Sequence, residues 1–320
     1  MAIDVPLIDQ TLVPPPGKAP GPRTLVLVNK LARRGSQPID DVLARFEARG
    51  LQPSVDSFET PAEVSDDIIR RADSFDRVVV CGGDGTVASA ARGVMTTGLP
   101  LGILPMGTAN DLARTLDLPT DLVAAADIIC DSHTRRIDVG SVNGHPFFNV
   151  ASIGLSVELA RNLCRETKRR WGRLGYAVAA IKALWAARPF STWITNQGRT
   201  IRVRTMQIAV GNGRYYGGGN VVATHAAIDD GHLDLYSLET ESVLKLAMMM
   251  PSFRAGGHGA WQEVRTARCV QFDIATRQPR PVNTDGELVT FTPARFLVHP
   301  KAVAVFVPQP PAASASQPAA

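Results

Sequence analysis

The sequence predicts an α/β domain built on a parallel sheet, followed by a second, mainly antiparallel β-sandwich domain. From residue 23 to residue 130, short β-branched runs alternate with helical stretches, which is typical of parallel strands joined by helices. After residue 131, apolar and polar residues alternate between glycine and asparagine turns, which is typical of antiparallel strands. We therefore expect domains at residues 23–130 and 131–307, with the C-terminal segment free to return to the first domain.

In the first domain the expected elements alternate along the chain. The runs TLVLVN, DRVVVC and LGILP predict buried strands because each is short and rich in apolar, mostly branched residues. Strands are expected at 24–29, 54–58, 76–81 and 101–105, and helices at 39–49, 61–72, from the glycine cluster to about 95, 110–116 and 121–130.

In the second domain the clearest local signal is Asn143-Gly144, a dipeptide that favours the tight turn of a β-hairpin. Further strands are expected at 200–211, 233–238, 264–274, 281–282, 288–291 and 295–298. Helical interludes are expected at about 157–188 and 242–249.

Composition excludes several classes of protein. A chain of 320 residues that is 45% hydrophobic and 20% charged is neither disordered nor collagen-like. Its 34 basic and 30 acidic residues give a net charge of only +4, so no nucleic-acid partner is expected. The four cysteines form no CxxC pair, which argues against a zinc site or a disulfide framework: Cys81, Cys130, Cys164 and Cys269. A reducing, cytoplasmic setting is expected.

Both ends of the chain predict disorder. Residues 1–22 contain early acids and six prolines rather than a basic start and a long apolar run, so we expect a disordered leader and not a secretory signal. Residues 308–320 are of low complexity and are expected to form a disordered tail. No stretch reaches the roughly 18 apolar residues that span a bilayer, so any membrane contact is expected to be peripheral.

A glycine-rich loop, residues 82–86 (GGDGT), lies between a predicted strand and a predicted helix. Its glycines let the backbone approach an anion, and its N–H groups favour negative charge. Because Asp84 would repel a bare phosphate, its presence indicates a divalent cation and hence a magnesium nucleotide. The alternative is a tight turn in which Asp84 caps a helix. The loop is not a Walker A loop, because no Gly-Lys-Ser/Thr follows it.

A second polar loop, within residues 104–114 (LPMGTANDLAR), follows the next predicted strand. The carboxyl ends of neighbouring parallel strands share one crevice, so this loop is expected to face the glycine loop. Thr108 can donate to a phosphate, and Asp111 can hold a metal-bound water or a ribose hydroxyl. The alternative is that Asn110 and Asp111 only cap the following helix.

These two loops and five later segments resemble the bacterial diacylglycerol kinase-like lipid kinases, which share the glycine loop with NAD kinases and 6-phosphofructokinases. The later segments occur in the family's order, and the matches run from about residue 24 to 306: IDVG, FNVASIG, VGNGRYYGGG, IDDGHLD and NTDGE. The resemblance implies a kinase that transfers the γ-phosphate of ATP to a hydroxyl of a diacylglycerol-like or related lipid, with ATP between the two domains.

The resemblance also implies the site residues. Asp84 and Asp111 would organise the catalytic magnesium, and either Asp285 or Glu287 would accept the proton of the attacking hydroxyl. One of these two side chains is expected to point at the acceptor, and an Asp-Gly hairpin turn is compatible with that role. The other implied nucleotide contacts are Asn29, Lys30, Arg33, Thr60, Gly82, Gly83, Gly85, Thr86, Val87, Ala88, Gly107, Thr108 and Asn110.

Three segments depart from the family pattern. The first loop is a basic NKLARRG at 29–35 instead of beginning with Asn-Pro, Ala88-Ser89 stand in place of Asn-Glu, and Thr224-His225-Ala226 stand in place of Pro-Gly-Ala. The resemblance further implies a structural magnesium in the second domain at Ala227, Asp230 and His232, whose oxygen-rich loop suits that ion.

A basic segment at residues 161–173 (RNLCRETKRRWGR) carries six basic side chains and one acid and precedes apolar residues at helical spacing. It is a candidate for docking on anionic phospholipid headgroups at the membrane that holds the lipid substrate. The alternative is a solvated charged stretch before a core helix.

Two other functions stay open: an NAD kinase, and a nucleotide-binding regulatory protein without turnover, which Ala88, Ser89 and the altered first loop would suit. The GTAND and DDGxLD segments favour a lipid kinase over an NAD kinase, and the intact carboxylates at 84, 111, 285 and 287 favour turnover. The identity of the acceptor lipid and the formation of a homodimer are left open by the sequence.

Overall fold

The computed structural model describes residues 21–29, 39–157, 188–223, 225–240 and 242–310. In the first part of the chain, strands and helices alternate as the sequence predicts, and the predicted ends hold to within two residues. The glycine cluster is followed by two short helices instead of one. The elements are β1 (Arg23–Asn29), α1 (Ile39–Ala48), β2 (Gln52–Phe58), α2 (Pro61–Arg71), β3 (Arg77–Gly82), α3 (Asp84–Ser89), α4 (Ala91–Thr97), β4 (Leu101–Pro105), α5 (Asp111–Thr115) and α6 (Leu122–Asp131).

The second part of the chain is mainly β, as predicted. Its elements are β5 (Thr134–Val142), β6 (His145–Phe147), β7 (Val150–Gly154), β8 (Phe190–Asn196), β9 (Arg199–Thr205), β10 (Gln207–Gly211), β11 (Tyr215–Tyr216), β12 (Asn220–Val221), β13 (Leu233–Leu238), α7 (Val243–Ala255), β14 (Val264–Cys269), β15 (Gln271–Thr276), β16 (Pro281–Thr284), β17 (Glu287–Phe291) and β18 (Ala294–Phe306).

Several boundaries differ from the prediction. The runs at 200–211 and 264–274 each divide into two strands, α7 continues through Pro251 to residue 255, and β8, β11 and β12 were not predicted. The predicted hairpin at Asn143-Gly144 is confirmed, since both residues have positive φ, 48° and 84°. The predicted helix at 157–188 lies almost entirely outside the described residues, as do most of both predicted disordered ends.

One large sheet runs through both parts of the molecule in the order β2-β1-β3-β4-β18-β15-β8-β9. The first four strands are parallel, and β18 lies parallel to β4 and antiparallel to β5. Because β1 to β4 run the same way, the loops that follow them gather at one edge of the sheet. The last long strand of the chain therefore extends the sheet of the first part.

A second sheet of six antiparallel strands, in the order β14-β13-β10-β7-β16-β17, faces the β5, β8, β9, β15 and β18 region of the large sheet. Their inner faces share one buried core, whose largest side chains include Phe147, Phe272 and Phe296. This is the predicted β-sandwich. The turns of β7, β10 and β16 border the loops after β3 and β4, where the candidate site lies.

Candidate active site

The two polar loops predicted to face one another are in direct contact. They follow β3 and β4, which pair in parallel up to Gly82 and Pro105. The Met106 N–H donates to the Gly82 carbonyl at 2.9 Å. A Cβ placed on Gly107 would lie 2.5 Å from the Cα of Gly83, so the loops touch backbone to backbone.

Two of the three glycines in the 82–86 loop are required by packing. A Cβ on Gly82 would lie 2.5 Å from the Thr86 side chain, and one on Gly83 would lie 3.0 Å from the Cα of Gly107. At Gly85 the nearest atom would be Oε1 of Glu287, at 3.9 Å. Packing therefore accounts for Gly82 and Gly83 being glycine, and the approach of an anion to this loop stays a prediction.

Replacing Gly107 by alanine is expected to push the two loops apart. The new Cβ would overlap the Gly83 backbone and Oδ1 of Asn110, at 2.7 Å, and overpacking of this kind costs about 1–3 kcal/mol of unfolding free energy. Denaturant unfolding measures that loss, and nucleotide titration is expected to show weaker binding. Gly257→Ala is the control, since a Cβ there has no neighbour within 4 Å. Equal stability and affinity in both variants would contradict the backbone contact.

Asp84 connects the two loops through its side chain. Its Oδ1 accepts hydrogen bonds from the N–H groups of Asp111 at 2.6 Å and Leu112 at 3.4 Å, so it caps the start of α5 from the neighbouring loop. Asp84 therefore does cap a helix, as the capping alternative proposed. The capped helix is α5, not α3, which follows Asp84 in the chain. This contact fixes the carboxylate at the edge of the sheet, where it lines a cavity.

Asp111 is buried, with 4% of its surface exposed. Its Oδ2 accepts from the Gly218 N–H at 2.9 Å, while Oδ1 has no hydrogen-bond partner among the described residues. Burial raises the pKa of this carboxyl, the nearby Asp84 charge raises it further, and the Gly218 N–H opposes the rise. Two adjacent carboxylates with an unpaired buried oxygen form a place that favours a cation.

The turn between β16 and β17 brings Asp285 to the edge of this cavity and places Glu287 near Gly85. Asp285 and Gly286 have φ of 47° and 101°, which confirms the predicted Asp-Gly hairpin turn. The Asp285 carboxylate turns back and accepts three N–H groups, from Phe148 at 2.8 Å and from Asn149 and Val150 at 3.0 Å each. The exposed side chain of Glu287 instead reaches toward Gly85.

Burial raises the pKa of Asp285 to about 6, against the three backbone N–H groups that lower it. The negative charge of Asp84 adds to the rise. A carboxyl whose pKa lies close to neutral pH is suited to proton transfer, because it is ionised at the pH of the reaction yet basic enough to accept a proton.

Asp84, Asp111 and Asp285 all line one cavity of about 270 Å³. The first part of the chain supplies Asp84, Ala109 and Asp111. The second part supplies residues of the β7, β10 and β16 region and of the turn after β11: Asn149, Val150, Ser152, Ser156, Gln207, Tyr216, Gly217, Gly218, Asn283, Asp285 and Gly286.

The other predicted nucleotide residues have different environments. Asn29 donates through Nδ2 to Oγ1 of the buried Thr86 at 2.9 Å, which joins the end of β1 to the glycine loop. Val87 packs in the core and its N–H donates to the Gly83 carbonyl, so its side chain and its N–H are both used inside the protein. We therefore no longer expect the Val87 side chain or its N–H to contact the nucleotide.

The remaining predicted residues that the structure describes lie nearer the surface of the protein. Thr60 and Thr108 are exposed, and Ala88 is half-buried. Asn110 adopts a left-handed backbone, φ 51°, and exchanges two hydrogen bonds with the backbone of Gly107 at 2.9 and 3.1 Å. It shapes its own loop without capping α5. Lys30 and Arg33 lie outside the described residues.

A glycine turn from the second part, residues 217–219, is a functional element that reasoning from residue chemistry missed. All three glycines have positive φ, and their close approach supplies the Gly218 N–H to Asp111. Gly219 has a φ of 102°, a backbone conformation that favours glycine, and Nη1 of Arg114 lies where its Cβ would be. The run of three glycines was the available signal in the sequence. Only the fold shows that this turn contacts Asp111 in the loop after β4.

Comparison with known proteins finds matches to both parts of the chain. Residues 23–142 match the model of the diacylglycerol kinase catalytic domain, and residues 149–307 match that of the YegS C-terminal NAD kinase β-sandwich-like domain. A diacylglycerol kinase of Mycobacterium tuberculosis is 35% identical over 247 residues, which cover 74% of this chain and 79% of the relative. This chain belongs to the diacylglycerol kinase family.

Other relatives extend the match along the chain. A diacylglycerol kinase of Bacillus subtilis is 27% identical over 260 residues, covering 80% of this kinase and 86% of the relative. The crystal structure of a diacylglycerol kinase from Bacillus anthracis has a TM-score of 0.71 at 22% identity, covers 91% of this chain and 98% of that one, and shows the same fold. Among the described residues of this kinase, no helix is long and apolar enough to cross a bilayer.

The predicted second-domain metal site of the kinase is arranged around hydrogen bonds. The two oxygens of Asp230 accept the N–H groups of Ala227 and His232, at 3.0 Å each, and Nη2 of Arg268 lies 2.8 Å from Oδ2. A cation would have to displace a guanidinium that already neutralises this carboxylate. The residues as arranged do not fit a metal ion, and its assignment to Ala227, Asp230 and His232 stays a prediction.

At the cavity between the loops, a magnesium ion does fit. The unpaired Oδ1 of Asp111 and the neighbouring Asp84 are oxygen donors of the kind Mg²⁺ prefers. Among the described residues no three His, Cys, Asp or Glu side chains converge as a complete metal site. Mg²⁺ in such enzymes is held by one or two carboxylates, substrate phosphates and water, so an incomplete protein site is the expected form.

Proposed function

We propose that this kinase transfers the γ-phosphate of ATP to a hydroxyl of a diacylglycerol-like lipid, with Mg²⁺ as the metal. The convergence of Asp84, Asp111 and Asp285 on one cavity carries the proposal, because it places acidic groups of both parts of the chain beside the two glycine-containing loops. Phosphoryl transfer requires positioning, charge neutralisation and a group that accepts the hydroxyl proton.

The first part of the chain binds the donor nucleotide. The touching loops at 82–86 and 107–110 present backbone groups at the carboxyl edge of the sheet, and Asn29 fixes Thr86 beneath them. Asp84 and Asp111 would hold the magnesium ion, which neutralises phosphate charge when bound. Gly218 keeps the Asp111 carboxylate oriented through its N–H.

The second part supplies the base. Three backbone N–H groups hold Asp285 in one orientation, and its raised pKa suits it to accept the acceptor's proton. The acceptor oxygen then bonds to the γ-phosphorus, the bond from that phosphorus to the β–γ bridging oxygen breaks, and ADP leaves. Glu287, near Gly85, is the second candidate base.

The test is transfer of label from γ-labelled ATP into a total lipid extract, with NAD as the acceptor in a parallel reaction. Asp84→Asn serves as the inactive control. We expect a labelled phospholipid that requires Mg²⁺. Label in NAD would identify an NAD kinase, and nucleotide binding without any labelled product would identify the regulatory alternative.

We also propose that the kinase works as a peripheral protein at the surface of a membrane, bound to anionic headgroups through residues 161–173. This segment lies outside the described residues, so the proposal rests on its sequence.

Replacing Lys168, Arg169 and Arg170 by glutamine is expected to weaken binding to anionic vesicles at low salt. Each basic residue near such a surface contributes about 1 kcal/mol, and salt screens exposed charges beyond about 8 Å at physiological ionic strength. Vesicle sedimentation over a salt series measures the effect, with neutral vesicles as the control. Equal binding by variant and wild type at every salt concentration would assign the segment to ordinary solvated surface.

A further inference from the structure

The cavity has a polar wall that the phosphate-transfer groups do not use. It is formed by five residues of the second part: Asn149, Ser152, Ser156, Gln207 and Asn283. Their strands are neighbours in the six-stranded sheet, since β7 pairs with both β10 and β16 and Asn283 lies opposite Ser152. We call these five residues the polar wall.

Three polar atoms of this wall are buried without a partner among the described residues. They are Oδ1 of Asn149, Nδ2 of Asn283 and Oγ of Ser156. Asn149 and Asn283 are only 4% and 7% exposed. Buried polar groups are nearly always hydrogen-bonded in native proteins, so unpaired groups beside a cavity indicate a ligand that pairs with them.

The hydrogen bonds that the wall does make fix its orientation. Oδ1 of Asn283 accepts the Gly286 N–H at 3.0 Å, which leaves the donor Nδ2 unpaired. Gln207 accepts the Ser156 N–H at 2.8 Å and donates to the Tyr236 hydroxyl at 3.1 Å, so it anchors the backbone that carries Ser156. The wall therefore offers a fixed amide donor and a hydroxyl.

The position of the wall relates it to the acceptor. In the proposed function the donor phosphates lie at the loops of the first part, with Asp84 and Asp111, whereas the wall is formed by the second part and includes Asn283, two residues from Asp285. A hydroxyl that approaches Asp285 would bring its neighbouring atoms against Asn283, and the rest of the acceptor would extend along β7 toward Ser156, beyond the end of that strand.

We propose that Asn283 and Ser156 determine acceptor specificity by binding two oxygens of the acceptor lipid. An ester or hydroxyl oxygen on the carbon next to the reacting hydroxyl accepts from Nδ2 of Asn283, and an oxygen farther along the lipid pairs with Oγ of Ser156. Glycerol-type lipids carry both oxygens, and long-chain monohydric alcohols carry neither. This inference rests on the proposed lipid kinase function.

Ser156→Ala is the sharpest variant, because Oγ of Ser156 has no partner to lose among the described residues. Its matched control is Ser237→Ala, which removes another buried, unpaired hydroxyl from β13, away from the cavity. Asn283→Asp keeps an oxygen for the Gly286 N–H and removes the donor. Each full-length variant is compared with wild type for phosphate transfer to dioctanoylglycerol and to 1-decanol.

We expect Ser156→Ala and Asn283→Asp to raise KM for dioctanoylglycerol about tenfold, the equivalent of about 1.4 kcal/mol. KM for ATP and KM for 1-decanol stay unchanged, and Ser237→Ala behaves as wild type. An unchanged KM for dioctanoylglycerol in both wall variants, or an equal rise for both acceptors, would overturn the inference.

Calorimetric binding of dioctanoylglycerol without nucleotide separates this inference from the proposed function. If wild type transfers phosphate to no lipid, the proposed function fails. In that case a tenfold weaker binding by Ser156→Ala alone still supports the wall as a glycerol-binding subsite. Equal binding by wild type and both serine variants, or no binding at all, overturns it.

Discussion

Asp84→Asn and Asp84→Ala are both expected to reduce phosphoryl transfer by about 10²- to 10³-fold or more, the usual cost of removing a group that stabilises charge in a transition state. The carboxylate lies beside the unpaired oxygen of Asp111, and neither replacement carries the charge that attracts a cation. Single-turnover transfer from labelled ATP measures the loss, and magnesium titration is expected to show weaker dependence on the metal.

The two variants separate catalysis from folding. Asparagine keeps a side-chain oxygen for the N–H groups of Asp111 and Leu112, so Asp84→Asn is expected to unfold near the wild-type temperature. Alanine removes this cap, at a cost of about 1 kcal/mol. Substantial activity in Asp84→Asn, with normal nucleotide affinity, would contradict the assignment of Asp84 to the metal.

Asp285→Asn and Glu287→Gln are both nearly isosteric, and at least one is expected to lower transfer by about 10²- to 10⁴-fold, the range for a positioned general base. The geometry favours Asp285, because its carboxylate lines the cavity and three N–H groups hold it. Asparagine at 285 presents only one carbonyl oxygen to those donors, so ATP affinity and the unfolding temperature are measured in parallel. Near wild-type transfer by both variants would place the base elsewhere.

The pH dependence of phosphoryl transfer is a second test of Asp285 as the base. The native pKa of Asp285 is about 6, above the ordinary value of 3.8, and a base works only when it is unprotonated. The kcat/KM of wild type is therefore expected to fall on the acid side with a midpoint near pH 6, and this limb is lost in Asp285→Asn. A limb that persists unchanged in that variant would assign it to another group.

The raised pKa of Asp285 also makes the free energy of unfolding depend on pH, and this contribution to stability falls as pH rises. The native state binds this proton more tightly than the unfolded chain, so its contribution to stability is full below pH 3.8 and is lost as pH rises through about 6. The asparagine variant lacks this dependence. Unfolding experiments between pH 4 and pH 8 compare the two proteins.

The sequence by itself determined the class of fold and the location of the two polar loops after β3 and β4. Short β-branched runs that alternate with helical stretches are typical of parallel strands joined by helices. This local pattern predicts the elements of residues 23–131. The Asn143-Gly144 and Asp285-Gly286 turns were equally predictable, because positive φ at two adjacent residues is a local requirement that few residue types satisfy.

Tertiary structure decided which residues act together. The sequence could not show that Asp84 caps α5, that Gly82 and Gly83 are glycine because of Thr86 and Gly107, or that Val87 belongs to the core. It also left both Asp285 and Glu287 open as the base, and it could not show that the N–H groups of 148–150, more than 130 residues away along the chain, hold the Asp285 carboxylate. Burial, hydrogen bonding and pKa depend on distances between segments that are remote in sequence, and local patterns carry no measure of those distances.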